Sequence, residues 1–493
     1  KILFRRRKLS KRVERKLQSF TFIPQYVGVN ALSMRLLFFI LLFGFSLTAF
    51  GQQKMPIERI EITGNTKTKY YIILRELSFA KGDSLNAQQL GPAIIQAKQL
   101  LMNTQLFVDV KIDTLTYLEQ WQIRVQVKER WYLLPLPYFR LVDRNFNQWW
   151  VDQNRSLDRV NYGMTLKQAN ATGNNDKITL GLITGYSQQS VLRYQFPYLD
   201  KKMHFGMGMG WQYYAQKEMN TATRFDKQVF TKTRNYIQNG YRANVNLLYR
   251  PNLFERHSLQ IGFGKLEISD TGLLAQPKYL PNYAKSFSYV DVSVAFSKLR
   301  FDYNAYPTQG NSNEFSIYHR FSGGNNLTSF QLRNIVAHKI SPSAFLYFEN
   351  NTQAKILSNR NYIDSRVMGY GTMQMNGLEY YVIDGNVGSF IKAEVHHKLG
   401  SFTLPKKIGI GIVDKINKNL PVMKYNFWLK AFTNLGYVYS ERPTNASKLS
   451  NTLLRTAGIG LDIIGIYDLV IKIDYSMNQL GDKGVYLRGG INF

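Results

Sequence analysis

From about Arg159 to the end of the chain, hydrophobic residues recur at every second position in roughly sixteen segments of about ten residues, separated by Asn, Gly, Asp and Lys clusters. Met203, Phe205, Met207, Met209, Trp211 and Tyr213 alternate with His204, Gly206, Gly208, Gly210 and Gln212. Leu469, Ile471, Ile473 and Tyr475 alternate with Val470, Lys472, Asp474 and Ser476. Alternation of this kind makes a sheet with one apolar face, and that face must be covered. No helical pattern remains in this region to cover it. A barrel closed in lipid solves both problems, because it buries the apolar face and pairs every backbone group. A soluble all-β repeat protein such as a propeller is the competing fold. The expected fold class is therefore mainly β, an antiparallel transmembrane barrel of about sixteen strands behind one small α+β domain.

The rest of the composition agrees with strands. The 493 residues include 32 Tyr and 31 Phe against 14 Pro, and the mean hydropathy is -0.27. Past residue 51 no apolar run is long enough for a membrane-spanning helix. The chain has no cysteine, so disulfides, thiolate metal sites and a thiolate nucleophile are excluded. Met34-Arg35, the apolar run Leu36 to Phe50 and the small-residue ending Ala49-Phe50-Gly51 predict a signal peptide at 34–51, cleaved before Gln52. Residues 1–33 form a basic upstream extension with one acid, Glu14, and are not expected in the mature protein. That extension holds +8 of the formal +30, and since an exported chain rarely meets nucleic acid the remaining +22 points to lumen and loop residues near anionic lipid headgroups.

Residues 55–130 follow a different pattern. Ile57, Ile60 and Ile62 lead into the turn signal Thr63-Gly64-Asn65, and two helical stretches follow, about 67–77 and 86–103, with Ser84 offered as a cap. Phe107 to Ile112 and Trp121 to Val127 alternate as a hairpin, completing a β-α-α-β-β order. Residues 131–158, with Pro135, Pro137 and several aromatics, are expected to be a stiff linker to a barrel spanning 159–493. The final segment places Val485, Leu487, Gly489, Ile491 and the terminal Phe493 on one face, as a closing barrel strand would.

Residues 55–130 resemble a POTRA domain through Ile62-Thr63-Gly64-Asn65, through Leu106-Phe107-Val108-Asp109-Val110 and through Val125 to Glu129. A POTRA domain before such a barrel resembles the BamA and TamA superfamily, of which this chain would be a divergent single-POTRA member. The resemblance implies insertion, assembly or translocation of other outer-membrane proteins through a lateral seam between first and last strands. It implies outer-membrane residence with the POTRA domain in the periplasm. Expected partners are outer-membrane lipids, unfolded outer-membrane protein clients and periplasmic lipoproteins bound at a POTRA sheet edge. It also implies a loop after the eleventh strand that folds into the lumen, at about 357–388, carrying Val367-Met368-Gly369-Tyr370 where the family has an Arg at the second position. Asn376-Gly377-Leu378-Glu379-Tyr380-Tyr381 also resembles that motif in a second register, again without Arg. Phe432-Thr433-Asn434-Leu435-Gly436 resembles a family strand motif with Asn434 in the acidic position. By alternation Lys392, Glu394, Lys430 and Asn434 face the lumen, and Lys430 or Lys392 is expected to pair with Glu394 in place of the missing Arg. Gly484, Gly489 and Gly490 are expected to weaken the seam.

No catalytic constellation, metal site or cofactor loop is evident, and His396-His397 point to opposite faces, so the chain is expected not to be an enzyme and to need no cofactor. Nucleic acid is not an expected partner. The missing loop Arg leaves an alternative open, an accessory or structural barrel that anchors periplasmic or surface partners; a passive channel is less favoured.

Overall fold

The computed structural model describes residues 54–141, 157, 160–359, 361–404, 423–443 and 446–491. The expected signal peptide, the basic extension and Phe493 lie outside the described residues, as does most of the segment between 142 and 159.

The N-terminal domain is built from β1 (Met55–Thr63), α1 (Tyr70–Arg75), β2 (Ser84–Leu85), α2 (Ala87–Asn103), β3 (Phe107–Tyr117) and β4 (Gln120–Glu129). Its sheet order is β2-β1-β4-β3, with β1 parallel to β4 and the other pairs antiparallel. The helices close one face over Ile57, Ile72, Ile73, Leu101, Phe107, Val110 and Ile123, all buried. The turn after β1 depends on Gly64, at φ +86, where a Cβ would come within 2.0 Å of the Val127 carbonyl oxygen. Asn65 secures it by donating from Nδ2 to the Thr68 carbonyl at 3.0 Å. The cap of α2 is Asn86, not Ser84. Its Oδ1 accepts from the Gln89 N–H at 2.8 Å while Gln89 Oε1 accepts from the Asn86 N–H, a reciprocal capping box. Ser84 and Leu85 are instead taken by sheet pairing with β1.

Sixteen antiparallel strands form the barrel sheet, each beside its neighbour in sequence, with a separate hairpin, Glu218–Arg224 and Lys227–Lys232, outside it. The first of them is β5 (Leu133–Leu141), which pairs with Val160–Ala169 over its whole length. The expected linker is thus partly a strand, and the segment expected to open the barrel is its second strand. Both prolines are compatible with this, because an edge strand tolerates proline where the missing N–H points away from its only neighbour. The last strand is Lys483–Ile491. Outward positions carry Leu182, Leu247, Ile261, Ile391 and Ile459, each more than half exposed, while Asp291, Asn351 and Asp462 inside are fully buried. This inside-out distribution suits an apolar surround. Among the described residues no helix is long and apolar enough to cross a membrane.

The N-terminal domain is fastened to turns at one end of the barrel. Arg250 forms a two-pronged ion pair with Glu76, Arg75 donates to the Met203 carbonyl at 2.9 Å, and Asn103 bridges Phe301 and Asn304. Arg130, at the end of β4, pairs with Asp468 at 3.0 Å in the turn before the fifteenth strand, with both side chains nearly inaccessible. The Lys69 backbone N–H donates to the Gly173 carbonyl at 3.0 Å.

Candidate functional site

The loop between the eleventh and twelfth strands, Ala344–Leu357 and Val387–Thr403, enters from the end opposite the N-terminal domain. Val367 and Met368 are buried in a cluster with Met373, Met375, Leu378, Ile383, Phe390, Val438 and Leu454. At the expected motif, Met368 is therefore a packing residue. Gly369 takes φ +89, and a Cβ there would stand 2.5 Å from the Tyr381 carbonyl oxygen, so the fold-back of the loop requires glycine. Tyr370 lies against Arg366, whose guanidinium sits 5.9, 5.2 and 5.4 Å from the rings of Tyr279, Tyr362 and Tyr370. Arg366 is one position upstream of the motif and answers to aromatic faces rather than to a carboxylate.

The second register makes one buried polar contact between loop and wall, in addition to the two-pronged ion pair of loop Asp364 with Arg320. Asn376 is 1% exposed and meets three barrel residues: its Oδ1 accepts from Arg488 at 2.7 Å, its Nδ2 donates to Asp474 at 3.4 Å, and its carbonyl accepts from Asn434 at 3.3 Å. Asn434 also donates to Thr456 Oγ1 at 2.8 Å. Gly377 follows at φ +87, its carbonyl accepting from Asn478 at 3.1 Å. Tyr381 donates its hydroxyl to Asp482, and the Tyr380 ring lies 5.4 Å from that of Tyr486.

Neither lysine takes Glu394 as an ion-pair partner, contrary to expectation. Lys430 is enclosed between Asp462 at 2.8 Å and Asp474 at 2.9 Å, and Lys392 pairs with Glu349 at 3.5 Å. Glu394 meets His396 at 2.9 Å. The reason is register: Gly460, opposite Lys430, leaves room for its side chain to reach Asp474 one strand further on. Asp474 is also bound by Arg488 from the last strand. The arginine that alternation alone did not single out thus comes from the barrel wall, and the loop receives it. A second intrusion enters from the end bearing the N-terminal domain, where Tyr306 donates to Asp462 at 3.0 Å and meets His396 Nδ1 at 2.8 Å beside Phe345 and Trp428. Among the described residues no cluster of His, Asp and Glu could hold a metal ion.

At the seam, the Ala169 N–H donates to the Tyr132 carbonyl, so residues 132, 134, 136, 138 and 140 turn their backbone groups to the second strand. Leu133, Pro135, Pro137 and Phe139 turn theirs away. By the same rule the Asn478 N–H bond to the Asp482 carbonyl assigns residues 484, 486 and 488 to the fifteenth strand and leaves Val485, Leu487, Gly489 and Ile491 facing outward along the sheet. Among the described residues no backbone pairing joins β5 to the last strand. Gly484 faces the lumen under the Tyr486 ring, whereas a Cβ at Gly489 would meet only the Val470 carbonyl oxygen, at 3.8 Å; the side-chain position of Gly490 lies outside what is described.

Residues 55–130 match the POTRA family, the surface antigen variable number repeat. No curated protein sequence matches the chain. Among solved structures, CdiB from Escherichia coli superposes with a TM-score of 0.50 at 10% identity, over 89% of this chain and 75% of that one. BamA from Haemophilus ducreyi lacking POTRA domains 1-3 gives 0.49 at 14% identity, over 88% and 84%. Residues 55–130 are a POTRA domain, and the chain as a whole is a POTRA-plus-barrel protein whose fold is similar to that of CdiB.

Proposed function

We propose that this protein resides in the outer membrane, with its POTRA domain in the periplasm, and assists insertion of other outer-membrane proteins through the seam between β5 and the last strand. One observation carries the reading. Among the described residues β5 and the last strand each keep one edge without backbone pairing, in a sheet whose other neighbours are paired. Unpaired edges recruit extended chain, and in lipid each unmet backbone group strengthens that demand. The energy would come from client strand pairing and lipid burial, without a nucleotide. The POTRA sheet offers a further edge, β3, whose exposed Leu115 and Tyr117 would suit β-augmentation by a client or a lipoprotein.

The chain has no cysteine, so a pair introduced at Phe139 and Val485 would be the only one. Oxidation should lock the seam and arrest insertion of other barrels, with recovery on reduction. Unchanged insertion with a locked seam overturns the reading and leaves an accessory barrel that anchors partners. The outer-membrane proteome after depletion separates the two in cells.

A further inference from the structure

At the end of the barrel that carries the POTRA domain, a cavity of about 340 Å³ lies between the end of α2 and the ends of several barrel strands. Its charged lining is three cations, Lys177, Arg250 and Arg256, against one acid, Glu76. Arg250 already holds Glu76 on both oxygens. Asp468, whose field also reaches Lys177, is bound by Arg130. Among the described residues Lys177 and Arg256 therefore pair with no carboxylate. Lys177 donates to Gln105 Oε1 at 3.1 Å, and Arg256 is exposed. Each stands instead in the field of further cations, Lys167 and Arg130 for Lys177, Arg250 and Arg75 for Arg256. Uncompensated positive charge around a concave site raises the local concentration of anions.

Strand parity places both free cations on the lumen side. Leu180 and Leu182 face outward, so Lys177, which opens the third strand (Lys177–Gly185), faces inward. Leu259, Ile261 and Phe263 face outward, so Arg256, in the seventh strand (Glu255–Ile268), also faces inward. Tyr249 and His257 have outward parity and line the same cavity, which is thus bounded by both faces of the strand ends. On the outward face Phe205, Tyr249, His257 and Phe296 follow one another in ring contact, with centroids 4.9, 5.8 and 5.1 Å apart. An aromatic belt of this kind marks the level of lipid headgroups. Leu253, Phe254 and Leu299 add an apolar wall.

We infer that this cavity binds a phosphate group, carried by an anionic phospholipid of the leaflet on the POTRA side. The phosphate oxygens accept from the Lys177 ammonium and the Arg256 guanidinium, one a point charge and the other a fork of donors. The rest of the lipid lies against the apolar wall and leaves past the aromatic belt. An acidic protein segment would meet the same cations but gain nothing from the belt. Gln105 comes from the POTRA domain and Arg256 from the barrel, so one ligand touches both. The inference rests on the outer-membrane residence proposed above and is independent of insertion through the seam.

The test is native mass spectrometry of the full-length protein in detergent, with phosphatidylglycerol or phosphatidylcholine added, and calorimetric titration with inorganic phosphate as a separate arm. Phosphatidylglycerol should be retained in preference to phosphatidylcholine. Lys177→Gln with Arg256→Gln should lower its retention several-fold, and Lys177→Arg with Arg256→Lys should keep most of it. Arg256→Gln alone, at an exposed side chain, decides the matter where the double variant does not fold. Equal retention and equal phosphate binding in wild type and Arg256→Gln overturn the site. Phosphate binding that depends on Arg256, without retention of phosphatidylglycerol, overturns the lipid as the source and supports the phosphate site. Residence is read separately by membrane fractionation; absence from the outer membrane overturns that reading and the lipid source, while the phosphate arm still decides the site.

Discussion

At the scale of single residues, the lumen is governed by confined charge. Lys430 stands between two aspartates, and all three side chains are sealed from solvent. Removing one partner of such an arrangement costs about 3–5 kcal/mol, because the remaining charges lose their compensation. Lys430→Met is therefore expected to lower the temperature at which the folded barrel loses its fast-migrating form on a denaturing gel, and a Lys430→Met, Asp474→Asn double variant should recover part of the loss. Gly369→Ala tests the loop's fold-back. A left-handed backbone costs an alanine roughly 1–2 kcal/mol, and the Tyr381 carbonyl adds a clash, so protease access to the loop should rise. The parity of Lys430, Glu394 and Asn434 was legible from alternation, since every second residue faces inward. Which acid Lys430 meets was not, because that depends on the pairing of three strands and on the small residue at Gly460.

At the scale of elements, the docking of α1 and α2 beneath the barrel is carried by few but well-made contacts. Burial pushes the Glu76 carboxyl up, but Arg250, bonded to it on both oxygens, and Arg75 beside it hold it below its ordinary value of 4.5. A folded value below the unfolded one means the contact contributes fully above pH 4.5 and loses its contribution as pH falls through the folded value. Protection of the Tyr70–Arg75 amides, taken relative to the intrinsic exchange rate at each pH, should accordingly be high near neutral pH and fall in acid, and Glu76→Gln should show low protection at both. The POTRA elements were readable from local signals, turn residues and helical spacing. β5 was not, since Pro135 and Pro137 read as linker until the edge position, with its N–H positions turned from the only neighbour, is known.

At the scale of the whole molecule, the lumen is occupied from both ends, by the loop around Val367 to Ile383 and by the turn bearing Tyr306. An occupied lumen argues against a passive channel. Deleting residues 370–382 should produce ion conductance in planar bilayers where the intact protein shows little, and large conductance from the intact protein would favour the channel. The two intrusions also meet one continuous polar network, from Tyr306 through Asp462, Lys430 and Asp474 to Arg488 and Asn376. Asn103 of the POTRA domain touches the base of the same turn at Asn304.

The amino-acid sequence by itself determined the period-two surface and the β-α-α-β-β order of elements in residues 55–130. These follow from propensity, turn chemistry and the side-chain period, which act over neighbouring residues. Only the tertiary structure decided that the barrel begins at Leu133, that Asn376 rather than Met368 meets the polar wall, and that Arg488 from the wall supplies the cation it meets. Each of these depends on register between strands distant in sequence. A shift of one residue there exchanges lumen and lipid faces, and no local pattern records which partner stands opposite.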